Sequence, residues 1–119
     1  TDVCVPISAL SASIEKTKKA IEASGLLAPI AGHVGDGNYH LMILFDGESE
    51  DGLSRAKSLA SEVNEIALDF GGTVTGEHGI GSGKRSYMER EHGEAWSIMG
   101  NIKELFDPNN IMNPGKLVP

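Results

Sequence analysis

Leu53, Ala56, Leu59, Ala60, Val63, Ile66, Ala67 and Phe70 recur at spacings of three and four before Gly71 and Gly72 end the run. That period describes a helix with one apolar stripe, and such a stripe folds only if a second layer covers it. The neighbouring segments can supply the layer. Val3 and Val5 alternate ahead of Pro6, which closes a short strand. Residues 27–33 are extended and apolar, with Pro29 marking them as an edge strand. Residues 39–45 form the next strand, closed by Asp46-Gly47, and residues 73–75 form a short last one. Between the first two strands, Leu10, Ile14 and Ile21 mark another helix face, with Ser8 or Ser11 as its cap and Gly25 as its stop.

The order is strand, helix, strand, strand, helix, strand. It predicts an α+β fold, the split βαβ or ferredoxin-like βαββαβ plait, over about residues 1–76. A helical tail is predicted over about residues 84–119, with helices at 84–91 and 94–106. Ala95, Ile98, Ile102 and Leu105 lie on one side of the second of these, and Asp107-Pro108-Asn109-Asn110 and Asn113-Pro114-Gly115 are turn chemistry. The strand at 39–45 is apolar on both faces, with Tyr39, Leu41, Ile43 and Phe45 on one and Met42 and Leu44 on the other. A plait covers one face of its sheet with its two helices, so something else must cover the second. That requirement, and an opening on Thr1-Asp2-Val3 without Met, lead us to expect a piece of a longer protein, or else a dimer. Taken alone, such a piece should self-associate.

Charge narrows the partners. With 17 acids against 10 bases the formal charge is -7, and the only basic clusters are Lys16, Lys18 and Lys19, then Lys84 and Arg85. A nucleic-acid partner is therefore not expected. The longest apolar run, residues 41–45, is far too short to span a bilayer. Cys4 is the one cysteine, which excludes an internal disulfide and a Cys-based zinc site and favours a reduced, intracellular setting.

The chemistry concentrates in Gly32-His33-Val34-Gly35-Asp36-Gly37-Asn38-Tyr39-His40. If Asp36-Gly37 is a two-residue hairpin turn, His33 faces His40 across the ladder, with Cβ atoms about 5 Å apart. Two imidazoles at that separation can share a metal. A third ligand comes from Glu77 or His78 in Thr75-Gly76-Glu77-His78-Gly79. With strands two and four running together against strand three, His33, His40 and Glu77 or His78 reach one edge of the sheet. Two His and one carboxylate suit Zn²⁺, Mn²⁺ or Fe²⁺. In an extended segment Glu77 and His78 point opposite ways, so that one holds the metal and the other faces a substrate.

Other motifs carry less. Residues 79–85 look like a phosphate loop, but the first glycine of that pattern falls on His78, and Arg85 stands where a Ser or Thr should touch Mg²⁺. Ser82 lacks a base and an orienter for a triad. His92 reads as a solvated surface residue, and Trp96 and the methionines as packing.

Gly32 to His40, Gly72 to Lys84, and Phe106-Asp107-Pro108 through Asn113-Pro114-Gly115-Lys116 together resemble the C-terminal part of FAD-linked oxidases. The branch in question holds cytochrome-type D-lactate dehydrogenases, the flavin subunit of glycolate oxidase and D-2-hydroxyglutarate dehydrogenase. The likeness extends over essentially the whole chain, including Thr-Asp-Val-x-Val-Pro-x-Ser at its start. It implies a flavoenzyme oxidising a small D-2-hydroxy acid to a 2-oxo acid, with FAD held mainly by an upstream domain of the same parent chain and an electron acceptor left unspecified. It further implies that His33, His40 and Glu77 hold a divalent metal (Zn, Mn or Fe), that His78 is the base, and that Asn113 seats the C-terminal segment against the flavin domain. Met42 stands where the hydroxyglutarate enzymes carry a substrate-binding Asn, which leans towards lactate or glycolate. The resemblance implies an intracellular location, cytoplasmic or peripheral to a respiratory membrane, and an inactive chain when the flavin domain is missing. The alternative from another class is a free-standing metal-binding ferredoxin-like module used for sensing or assembly.

Overall fold

Short strands and two long helices build the first of two units into which the chain divides, Thr1–His78 and Gly79–Pro119; the computed structural model describes residues 1–119. Strands β1 (Asp2–Cys4), β2 (Ile30–Ala31) and β3 (Asn38–Leu41) form an antiparallel sheet in the order β1-β3-β2. The register sets Asp2 opposite His40, Val3 opposite Tyr39 and Cys4 opposite Asn38, and on the other side Ala31 opposite His40. Thr73 adds a single antiparallel bridge to Cys4, donating to its carbonyl at 2.7 Å and accepting from its N–H at 3.0 Å. The spatial order is thus that of the split βαβ plait, with the fourth strand reduced to one residue pair. The fold is α+β.

The regular pairing is shorter than the periodicity predicts, for local reasons. The expected strand at 73–75 stops after Thr73, because the Thr73 hydroxyl accepts the N–H of Thr75 at 3.1 Å and turns the chain. The expected strand at 27–33 keeps only Ile30–Ala31 as regular ladder. Pro29 has no N–H to give, yet its carbonyl still accepts from Met42, and an isolated bridge joins Leu27 to Leu44. The strand predicted at 39–45 begins one residue earlier, at Asn38, and its regular part ends at Leu41.

Helix α1 (Leu10–Ser24) stops at Gly25, whose φ of 65° is the left-handed turn that ends a helix. Neither Ser8 nor Ser11 caps it; the chain enters through a 3-10 turn at Ile7–Ala9. Helix α2 (Gly52–Asp69) buries Ala56, Leu59, Val63, Ile66 and Ala67 from the predicted stripe, whereas Leu53 is exposed. These side chains meet Val3, Val5, Tyr39 and Leu41 on one face of the sheet. Each fully buried Val or Leu there contributes roughly 1.5–3 kcal/mol.

Helix α1 packs differently from its expected face. Leu10, Ile14 and Ile21 are only partly buried, while Ser13 and Thr17 are fully buried. Their hydroxyls lie 2.7 and 3.1 Å from the hydroxyl of Tyr39, so a polar lock ties the helix to the centre of the sheet. Neither α1 nor α2 packs on the opposite face of the sheet. That face presents Asp2, Cys4, Asn38 and His40, then Met42 and Leu44, which are exposed.

In the second unit the helix predicted at 84–91 is split into a 3-10 turn, Arg85–Tyr87, and the short α3 (Met88–His92). Helix α4 (Ala95–Phe106) follows the predicted span closely, yet its apolar stripe, Ile98, Ile102 and Leu105, is exposed. The Trp96 indole N–H donates to the Leu117 carbonyl at 2.9 Å, so this residue anchors as well as packs. Asp107 closes the helix: its carboxylate accepts from the N–H groups of Ile111 and Met112 and pairs with Lys103. No helix is long and apolar enough to cross a membrane.

Removing the Tyr39 hydroxyl leaves the buried Ser13 and Thr17 hydroxyls short of a partner, so Tyr39→Phe should cost about 1–2 kcal/mol in chemical denaturation. An unchanged midpoint would show that the lock carries no net stability. The Lys103 ammonium, with the Met112 and Ile111 N–H groups, holds the Asp107 carboxyl below its ordinary range despite burial. A depressed carboxyl stabilises the fold above its unfolded value, about 4, and that contribution is lost as pH falls through the lower folded value. Asp107→Asn should therefore be less stable than wild type at neutral pH, with the gap closing on acidification. A gap that does not depend on pH would refute this assignment.

Candidate metal centre

His40 is the third residue of β3 and faces the side of the sheet that the helices leave open. Its cross-strand neighbours are Asp2 and Ala31, and His33 is not among them. The predicted two-residue turn at Asp36-Gly37 does not form. Val34–Asp36 is a 3-10 turn in which the His33 carbonyl accepts the Asp36 N–H at 2.9 Å. Gly37 follows at φ 78°, packed so closely on β1 that a Cβ would run into the Val5 carbonyl oxygen. His33 therefore approaches from the turn and not from the ladder, and the two rings meet edge to face at 6.3 Å.

The second arm also arrives by a different route. Thr73 pairs antiparallel to Cys4, so this segment runs in the direction of β3 and not that of β2. It reaches His40 because the chain bends at Gly76. With φ 52°, Gly76 lies so near Asp2 that any Cβ would overlap the carboxylate. Since the segment is bent, Glu77 and His78 do not point apart. A Glu77 carboxylate oxygen is 3.0 Å from His40 Nε2 and 3.6 Å from His33 Nε2. The His78 ring stacks on His40 at 5.0 Å between centroids and 10° between planes.

Asp2 is the residue that reading the sequence overlooked. Its side chain is 2% exposed. One oxygen accepts the N–H groups of Glu77 and His78 at 2.7 and 2.8 Å; the other accepts from the Asn38 side chain at 2.7 Å. Burial opposes ionisation, but the bond from Asn38, those from the His78 and Glu77 N–H groups, and the nearby His78 together hold the carboxyl below its usual range. The available signal was an acid in a short, otherwise apolar strand, a position that Asp rarely takes.

His33, His40 and Glu77 offer ligand atoms within 4.8 Å of one another, and so do Asp2, His40 and His78. The first set fits Zn²⁺, Mn²⁺ or Fe²⁺ by donor chemistry, and the exposure of His33 (66%) and Glu77 (46%) keeps further coordination positions open. His40 Nδ1 is buried and has no aligned hydrogen-bond partner. The remaining predicted residue, Asn113, lies in the second unit at φ 48°. With Ile102, Phe106 and Met112 it lines an apolar groove of about 750 Å³ there. His92 is in that unit too, 3.2 Å from Glu91.

Residues 1–117 fit the family described as FAD linked oxidases, C-terminal domain, and the chain belongs to it. Among curated proteins it is 50% identical, over 100% of its own length, to a mitochondrial D-lactate dehydrogenase [cytochrome] of Arabidopsis thaliana, of which it covers 21%. It is 46% identical over 99% of its length to a probable mitochondrial D-lactate dehydrogenase of Danio rerio, covering 24% of that protein. Its likeness to the glycolate oxidase subunit GlcD of Bacillus subtilis is 35% over 98% of the chain, and 25% of that subunit is covered. The chain thus spans about a fifth to a quarter of the length of these relatives.

Proposed function

We propose that the chain is the metal and substrate part of an FAD-dependent D-2-hydroxy-acid dehydrogenase that oxidises D-lactate or glycolate to the 2-oxo acid. The observation that supports this most is the His33–His40–Glu77 cluster with His78 stacked beside it on an open sheet face. In this reading those three residues hold a divalent ion, which when bound polarises the substrate's carboxylate and hydroxyl oxygens. His78 accepts the hydroxyl proton. Its ring lies between two carboxylates, Asp2 at 3.7 Å from Nδ1 and Glu77 at 3.9 Å from Nε2. The substrate gives up that proton and a hydride from C2, for which FAD, held by another domain of the same parent chain, would be the acceptor when bound. Met42, two residues along the strand from His40 and on the same face, presents an apolar surface, which favours a short acid over one with a second carboxylate.

The same face explains the cover that the sequence requires. Leu27, Met42 and Leu44 are 53–67% exposed around the site, and we assign the flavin-carrying domain as what lies over them. Residues 1–119 expressed alone should bind no FAD tightly, turn over no substrate and self-associate through this face. A clean monomer in sedimentation at high concentration would count against that surface as an interface.

Anaerobic mixing of the full-length protein with D-lactate, L-lactate and glycolate tests the activity. Bleaching of the flavin by D-lactate or glycolate but not L-lactate is expected. His78→Ala should slow flavin reduction by roughly 10²–10⁴-fold with the ion retained, whereas His40→Ala should lose the ion. Normal rates and normal metal content in both variants would overturn the site assignment. A purified protein with no flavin would leave only the metal-binding module.

A further inference from the structure

The reading above gives roles to His33, His40, Glu77 and His78 and assigns none to Asp2, which touches three of them. We propose that Asp2 is a positioning residue that sets the ring of His40 and the peptide of Glu77–His78 in the geometry needed to take up a divalent ion; the inference rests on the metal reading of the site.

Three observations carry it. Asp2 and His40 are direct partners in the β1–β3 register, with Asp2 Oδ1 3.0 Å from His40 Nδ1. Glu77 approaches the same ring from the other nitrogen, at 3.0 Å from Nε2. A carboxylate on one ring nitrogen directs the other, with its lone pair, to a metal and fixes the ring's orientation. That nitrogen of His40 is buried without an aligned hydrogen-bond partner, and the Asp2 carboxylate is the acceptor placed beside it.

The other oxygen of Asp2 accepts the N–H groups of both Glu77 and His78, so one side chain faces the ring and also holds the backbone that carries the acid. Finally, the carboxylate is itself held. Asn38 donates to it and to the Val3 carbonyl, and Gly76 leaves it room.

Asp2 could instead be a ligand, since Asp2, His40 and His78 also form a compact set. The hydrogen bonds argue against this. Both of its oxygens already accept short bonds from within the fold, and a metal on that side would compete with them.

The test is Co²⁺ and Zn²⁺ uptake by the full-length protein, read as stoichiometry, affinity and the Co²⁺ visible spectrum. Wild type should bind one ion per chain, and His40→Ala none. If wild type binds no ion, the metal reading fails and this inference with it. Given that binding, Asp2→Asn should keep one site and lose about 10–100-fold in affinity, with a displaced Co²⁺ band. A merely structural role would lower the melting temperature but leave affinity and spectrum of the folded protein unchanged; that result overturns the proposal. Two ions in wild type falling to one in Asp2→Asn would make Asp2 a ligand and overturn it equally. Should Asp2→Asn not fold, Asn38→Ser decides, because it removes a donor to Asp2 without touching a ligand. A severalfold weaker site is expected, and an unchanged one sinks the idea.

Discussion

A carboxylate that is almost fully buried must find donors inside the fold, and Asp2 finds them in segments far apart in the chain. Asn38 comes from the start of β3, while the Glu77 and His78 N–H groups come from the bend after the last bridge. The charge is thus satisfied only when β1, β3 and residues 76–78 are all in place. An acid here is costly in isolation and becomes a specific tie once its partners arrive. The Leu41 N–H, donating to the Thr1 carbonyl at 2.8 Å, extends the same β1–β3 pairing next to it.

Two faces of one small sheet then divide the work. Val3, Tyr39 and Leu41 point to α1 and α2 and make the core, with the Tyr39 hydroxyl locking α1 through Ser13 and Thr17. Their sequence neighbours Asp2, Asn38 and His40 point the other way, because strand side chains alternate. Chemistry and stability are therefore interleaved residue by residue. That second face leaves His33 and Glu77 accessible, and Met42 and Leu44 are exposed on it.

Much of this was legible from pattern. The α2 stripe, the stop of α1 at Gly25 and the two-sided apolar strand all follow from side-chain period and glycine conformation. His33, His40, Glu77 and His78 were expected to lie together from donor types and motif order, and the structure brings their side chains close. The routes were not. The hairpin at Asp36-Gly37 proved to be a 3-10 turn, and the direction of the fourth strand was the reverse of that expected. The causes differ: the dipeptide rule describes a regular ladder, and here the His33 carbonyl captures N–H groups that a ladder would use, whereas the direction of the fourth strand follows from the α2 crossover, which returns the chain parallel to β3.

By itself the sequence determined the two long helices, the donor chemistry available beside the sheet, and the family that the three motifs define, because these depend on period, residue chemistry and order along the chain. Only the tertiary structure decided that Asp2 stands behind His40, that Ser13 and Thr17 are core residues, and that Glu77 and His78 turn to the same side. The physical reason is that a polar side chain has no period of its own. Whether it is buried depends on a partner tens of residues away, such as Asn38 for Asp2 or Tyr39 for Ser13, and that partner is chosen when the strands pair.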